Sequence, residues 1–111
     1  DFIILDAAMN DFMRPALYKA IHRIVPAQKK NNKTKKIYEF VGPICESTDK
    51  FLTIKNFQKL NEKDIVIICD VGAYGMSLSS NYNLRPKAME LLIKNSEVKI
   101  ISKRQTVNDL I

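Results

Sequence analysis

Period-two alternation over residues 36–41, cut off by Gly42-Pro43, is the feature that most restricts how this chain folds. Ile37, Glu39 and Val41 alternate with Tyr38 and Phe40, which puts one set on each face of a strand. Gly accepts backbone angles that other residues avoid and Pro removes a ladder donor, so the pair ends that strand. The next residues, Ile44-Cys45-Glu46-Ser47-Thr48-Asp49, therefore sit at a strand end and deliver a thiol, a carboxylate and two hydroxyls in quick succession. Core packing needs no such cluster. A neighbouring anion disfavours a thiolate, so Cys45 beside Glu46 points to a proton donor rather than a nucleophile.

Strands and turns account for most of the remaining pattern. Residues 2–5 read as a short apolar strand, and residues 6–11 supply turn and N-cap candidates. Pro15 suits the first turn of a helix around Arg14-Pro15-Ala16-Leu17-Tyr18, where its missing donor has no partner anyway. On a helix Arg14 and Tyr18, four apart, share one face. A guanidinium fork beside a phenol suits a carboxylate or phosphate, and a surface arginine packed over a tyrosine ring has the same spacing. Residues 19–25 suggest a strand closed by Pro26, expected to pair with residues 36–41 as an antiparallel hairpin. In that hairpin His22 is a packed or half-exposed strand histidine, with nothing nearby in sequence to orient it as a base.

The continuous apolar run Ile65-Val66-Ile67-Ile68-Cys69 predicts a strand buried on both faces, with Cys69 a small core residue. It empties into Gly72-Ala73-Tyr74-Gly75, a glycine-bracketed turn that can bring backbone close to a ligand and fix a phenol. A polar loop through Ser80-Asn81-Tyr82-Asn83 follows. Residues 89–94 and 97–102 read as two strands joined by Asn95-Ser96, a two-residue hairpin loop. Residues 108–111 suggest a last turn or short helix. The sum is one mainly β domain over residues 1–111, an antiparallel sandwich or Greek-key barrel with short helical turns.

The net charge of +6 raises nucleic-acid binding, yet Lys29, Lys30, Lys33, Lys35 and Lys36 carry most of it, and removing these five charges leaves +1. They are interleaved with Asn31, Asn32 and Thr34 and offer no aromatic for base stacking, so a solvated hairpin tip fits better than a nucleic-acid patch. Cys45, Cys69 and the lone His22 have no zinc-site spacing, and two cysteines make no disulfide framework, which fits a reducing cytoplasm. No apolar run reaches membrane-spanning length. The chain opens inside a strand, without an initiator Met or a signal peptide, as a piece of a larger soluble protein would.

Four motifs in order then carry a resemblance: Arg14-Pro15-Ala16-Leu17-Tyr18, the 42–49 stretch, Asp70-Val71-Gly72-Ala73-Tyr74-Gly75, and Ser80-Asn81-Tyr82-Asn83. Together they resemble the C-terminal β-domain of the diaminopimelate decarboxylases, fold-type III pyridoxal-phosphate enzymes related to the ornithine and arginine decarboxylases. The resemblance implies the smaller part of a two-domain, alanine-racemase-like enzyme whose TIM barrel, with the Schiff-base lysine, lies outside these residues. It implies conversion of meso-2,6-diaminopimelate to L-lysine and carbon dioxide with pyridoxal phosphate, and no activity for residues 1–111 alone. Arg14 and Tyr18 match positions that bind the substrate's distal carboxylate, and Glu46 one that recognises its distal amino group. Tyr74 matches a contact to substrate and cofactor, and Cys45 the residue that protonates the carbanionic intermediate. A homodimer is implied, with Cys45 and Glu46 reaching into the partner's site. Glu46-Ser47 fits the diaminopimelate branch better than the ornithine branch. A related basic amino-acid decarboxylase, and a non-catalytic dimerisation or binding module of the same fold, are the alternatives.

Overall fold

Strand β3 (Lys35–Val41) lies at the centre of the main sheet, as its alternation demands. The computed structural model describes all 111 residues. On one side β3 pairs in parallel with β1 (Phe2–Ile4), with Phe2 opposite Glu39 and Ile4 opposite Val41. On the other it pairs antiparallel with β4 (Lys50–Gln58). Tyr38 and Phe40, on the inner face of β3, are buried and join Phe12, Ile24, Phe51 and Phe57 in the core. Phe40, Phe57 and Tyr38 meet edge to face, with centroids 5.1 Å apart for Phe40–Phe57 and 6.2 Å for Tyr38–Phe57. That geometry sets positive ring edges against negative faces.

The hairpin is therefore β3–β4, not the pairing expected between residues 19–25 and 36–41. Only Ile24–Pro26 form a strand in that earlier stretch, β2, and it pairs with β5 (Val66–Ile68) in a separate two-stranded sheet. β4 is the longest strand, yet its sequence does not announce it. Two register shifts against β3 break its alternation, one marked by Asn56 at φ 61°, and an extra residue at a bulge throws the period-two pattern off. The lysine-rich stretch is accordingly no hairpin tip. Lys30 pairs with Asp64 and donates its backbone N–H to Gln58, which fastens the stretch to the end of β4.

The run of residues 65–69 is likewise not buried on both faces. Val66 and Ile68 pack on the core, whereas Ile65 is 70% exposed and Ile67 48%. The three residues of β5 have one strand partner, and no second layer of this chain covers their outer side. Cys69 is only partly buried.

Helix α1 (Arg14–Tyr18) forms where Pro15 predicts it, with Pro15 buried and Lys19 closing the end in a left-handed conformation. Helix α2 (Gly72–Ser77) stands where a turn is expected. After a 3-10 turn at Tyr82–Leu84 the third sheet is the hairpin of β6 (Glu90–Lys94) and β7 (Glu97–Ser102). Asn95 and Ser96 both have positive φ, 50° and 63°, as a type I′ turn requires. The chain ends in a 3-10 turn, Val107–Leu110. The architecture is thus mainly β with short helices, in three sheets of three, two and two strands that stay separate and do not close into a barrel. No helix is long and apolar enough to cross a membrane.

Candidate active site

The 42–49 loop joins β3 to β4, and one buried carboxylate organises it. Asp49 accepts the backbone N–H of Ile44 on one oxygen and that of Met9 on the other, both at 2.7 Å. Gly42 donates its N–H to the Asp49 carbonyl at 3.0 Å, closing the loop's neck. A Cβ at Gly42 would lie 2.3 Å from both Asp49 carboxylate oxygens, so only glycine lets the carboxylate sit there. Ile44 is buried beneath the loop, while Cys45 and Glu46 at its crest are exposed. The crest presents a thiol and a carboxylate to whatever lies outside this chain.

Arg14, Tyr18 and Tyr74 come together as a second group. The Arg14 guanidinium lies 5.7 Å from the Tyr18 ring centroid and 5.5 Å from that of Tyr74. Tyr18 shares its helix face at four-residue spacing, and Tyr74 arrives from α2. The chain leaves β5 through Asp70 and Gly72, both left-handed at φ 58° and 51°. Gly75 then packs on Val71, where a Cβ would fall 2.1 Å from Cγ1. Of the two readings of the Arg14–Tyr18 spacing, the packed arginine is the one seen in the fold. The arginine packs over the rings, and it takes part in none of the chain's four ion pairs. A guanidinium beside two exposed phenols has the donor chemistry to receive an anionic oxygen group.

Between the two groups runs the 6–12 loop, and two adjacent residues fasten it to both sides. Met9 holds Asp49, as above. Asn10, fully buried, exchanges hydrogen bonds with Ser80: its side chain donates to the Ser80 carbonyl at 3.1 Å, and the Ser80 N–H donates to its carbonyl at 2.9 Å. Its Oδ1 accepts Arg85 Nε at 2.9 Å, while Arg85 also donates to the Asp6 carbonyl at 2.5 Å. These bonds aim the 80–85 turn at the loop crest, where the Tyr82 hydroxyl donates to Glu46 Oε1. The Thr48 hydroxyl meets the other oxygen, Oε2, at 3.5 Å.

The five residues singled out from sequence thus fall into two clusters, Arg14 with Tyr18 and Tyr74, and Cys45 with Glu46. Asp49, Asn10 and Tyr82 were not singled out. Asp49 and Tyr82 lie within recognised motifs, whereas Asn10 sits in a turn with no signal of burial. His22 precedes β2 rather than lying in a hairpin strand. Its Nδ1 is 3.1 Å from the Cys69 carbonyl and its ring meets Phe12 edge to face at 4.6 Å, a packed histidine.

Comparison with known proteins fits this geometry. Residues 1–72 match the family described as the pyridoxal-dependent decarboxylase C-terminal sheet domain. A diaminopimelate decarboxylase of Aquifex aeolicus is 40% identical over 110 residues, covering 99% of this chain and 26% of that protein. The crystal structure of diaminopimelate decarboxylase from Methanocaldococcus jannaschii superposes with a TM-score of 0.91 at 39% identity, over 98% of this chain and 25% of its own. That from Helicobacter pylori, complexed with L-lysine, gives 0.90 at 42% identity over 98% of this chain and 27% of its own. The chain therefore spans about a quarter of the length of these relatives. By its match over residues 1–72, the chain belongs to the pyridoxal-dependent decarboxylase family, as its C-terminal sheet domain.

Proposed function

We propose that this chain is the β-domain portion of a decarboxylase that converts meso-2,6-diaminopimelate to L-lysine and carbon dioxide with pyridoxal phosphate, as a cytoplasmic homodimer. The observation that carries it is the Arg14 guanidinium held between two exposed phenols, with a separate thiol and carboxylate at the crest of the 42–49 loop. A substrate carrying a carboxylate and an ammonium at its far end needs one group of each kind. Arg14 and Tyr18 bind the distal carboxylate, and Glu46 pairs with the distal ammonium. A site built to satisfy both charges rejects analogues that leave one unpaired.

Pyridoxal phosphate, when bound, supplies the electron sink that decarboxylation needs. The residues present suit it: Tyr74 offers an exposed phenol whose hydroxyl can donate to an anionic phosphate. The carbon that loses its carboxylate must gain one proton, and the Cys45 Sγ–H donates it as a general acid. Because Cys45 and Glu46 share one crest and Arg14 heads another cluster, the two groups suit a composite site, with the crest serving the partner subunit.

In the full-length enzyme, carbon dioxide release from diaminopimelate tests the activity. Cys45→Ala should lower kcat by about a hundredfold or more with cofactor content unchanged. Arg14→Ala should weaken use of diaminopimelate by about tenfold to a hundredfold while barely affecting a basic amino acid without a distal carboxylate. Undiminished turnover in the cysteine variant removes the proton-donor role. Equal losses on both substrates remove distal recognition by Arg14.

A further inference from the structure

Tyr82 is absent from the roles argued above, yet its hydroxyl is bonded to the carboxylate on which distal recognition depends. We propose that Tyr82 is a positioning residue that holds Glu46 in the orientation that receives the substrate's ammonium. The proposal rests on the reading of Glu46 given under the proposed function.

The sequence keeps the two residues 36 apart, so the contact is built by the fold. Glu46 stands on an exposed crest, where a free glutamate side chain samples many rotamers, and ordering it costs entropy at the moment of binding. Tyr82 removes that freedom beforehand by engaging Oε1, while Thr48 approaches Oε2. An ionised carboxylate has about four acceptor directions, so two donors leave room for an ammonium on the same group. A phenol is a suitable holder because its two torsions fix the hydroxyl at the end of a rigid ring.

Tyr82 is itself held. The backbone of Ser80 is locked to fully buried Asn10, and the Ser80 hydroxyl accepts the Tyr82 N–H at 3.3 Å. Asn81 donates to the Arg85 carbonyl at 3.0 Å, and Arg85 is tied to Asn10 and Asp6. Within this clamp Asn83 and Leu84 both take left-handed φ values, 58° and 55°. For a leucine that is unfavourable, and such a backbone persists only where its surroundings over-determine it. The 6–12 loop holds Asp49 through Met9 and the Tyr82 turn through Asn10, so both ends of the Glu46–Tyr82 contact are referenced to one element.

The test uses the full-length holoenzyme, with Tyr82→Phe, Glu46→Gln and the double variant. Two constants are measured: KM for meso-diaminopimelate, and the competitive Ki of 2-aminopimelate, which lacks only the distal amino group. Tyr82→Phe should raise the first about fivefold and move the second less than twofold, since one hydrogen bond to a charged, partly solvated group is lost. On the Glu46→Gln background the same change should add nothing. A crystal structure of the Tyr82→Phe enzyme should show the Glu46 carboxylate displaced. An equal effect of Tyr82→Phe on both constants, an undiminished effect on the Glu46→Gln background, or an unmoved carboxylate overturns the proposal. Should Glu46→Gln itself leave both constants unchanged while the carboxylate moves in Tyr82→Phe, the reading of Glu46 fails and the proposal with it, the contact being only a packing bond at the loop crest.

Discussion

Asp49 shows how one side chain sets the geometry of the loop that carries Cys45 and Glu46. Its carboxylate takes two backbone N–H groups from residues 5 and 40 positions away, and it is almost completely buried. Hydrogen bonds to a charged group are among the stronger in proteins, and removing the acceptor leaves buried donors unpaired. Asp49→Ala should therefore lower the stability of the protein by about 3 kcal/mol, measured by denaturant unfolding, and Asp49→Asn by less. Gly42→Ala acts on the same carboxylate from the other side. Its Cβ displaces Asp49, so turnover should fall about tenfold as Cys45 and Glu46 move, while an alanine at Gly72, where a Cβ meets nothing, costs only backbone strain.

Among the elements, the closing turns and hairpins carry their own chemistry. The Asp64 carboxyl is held below its ordinary value by the Asn61 backbone N–H and then by the Lys30 ammonium, and that of Asp109 by the Thr106 N–H and then its hydroxyl. A carboxylate whose folded pKa is depressed contributes stability above the unfolded value of 3.8, and that contribution is lost as pH falls through the lower folded value. The protection factors of the Asn61 and Thr106 amides, with intrinsic exchange divided out at each pH, should thus hold at neutral pH and fall only below the usual carboxylate range. A protection factor that does not change across that range would remove the linkage. In the β6–β7 hairpin, Ser96 sits at φ 63° without the glycine that a type I′ turn prefers. Ser96→Gly should stabilise the hairpin by about 1 kcal/mol, visible as a raised unfolding midpoint.

For the molecule as a whole, the apolar surfaces left open are as informative as the core. Leu91 and Ile93 pair with Ile100 and Val98 across β6–β7, and all four are exposed. A groove of about 980 Å³ between β1 and the 60–68 segment is lined by Phe2, Ile4, Leu5, Leu60, Ile65 and Ile68. Isolated residues 1–111 should consequently self-associate at micromolar concentration in sedimentation velocity, because exposed apolar patches of this kind seek cover. The strands at 36–41, 89–94 and 97–102 and the Arg14–Tyr18 helix were legible in sequence because their periods and turn residues are local signals. β4 was not, since its bulges disturb the period, and neither was the partner of β2, since strand pairing leaves no mark in either strand alone. The same division runs through the site. Residue types and motif order determined from sequence that Arg14, Tyr18, Tyr74, Cys45 and Glu46 were the groups to watch. Only the tertiary structure decided that they form two clusters, that Asp49 and Asn10 hold the loops presenting them, and that Tyr82 meets Glu46. Chemistry is a property of the side chain and is written in the sequence, whereas proximity across dozens of residues exists only once the chain has folded.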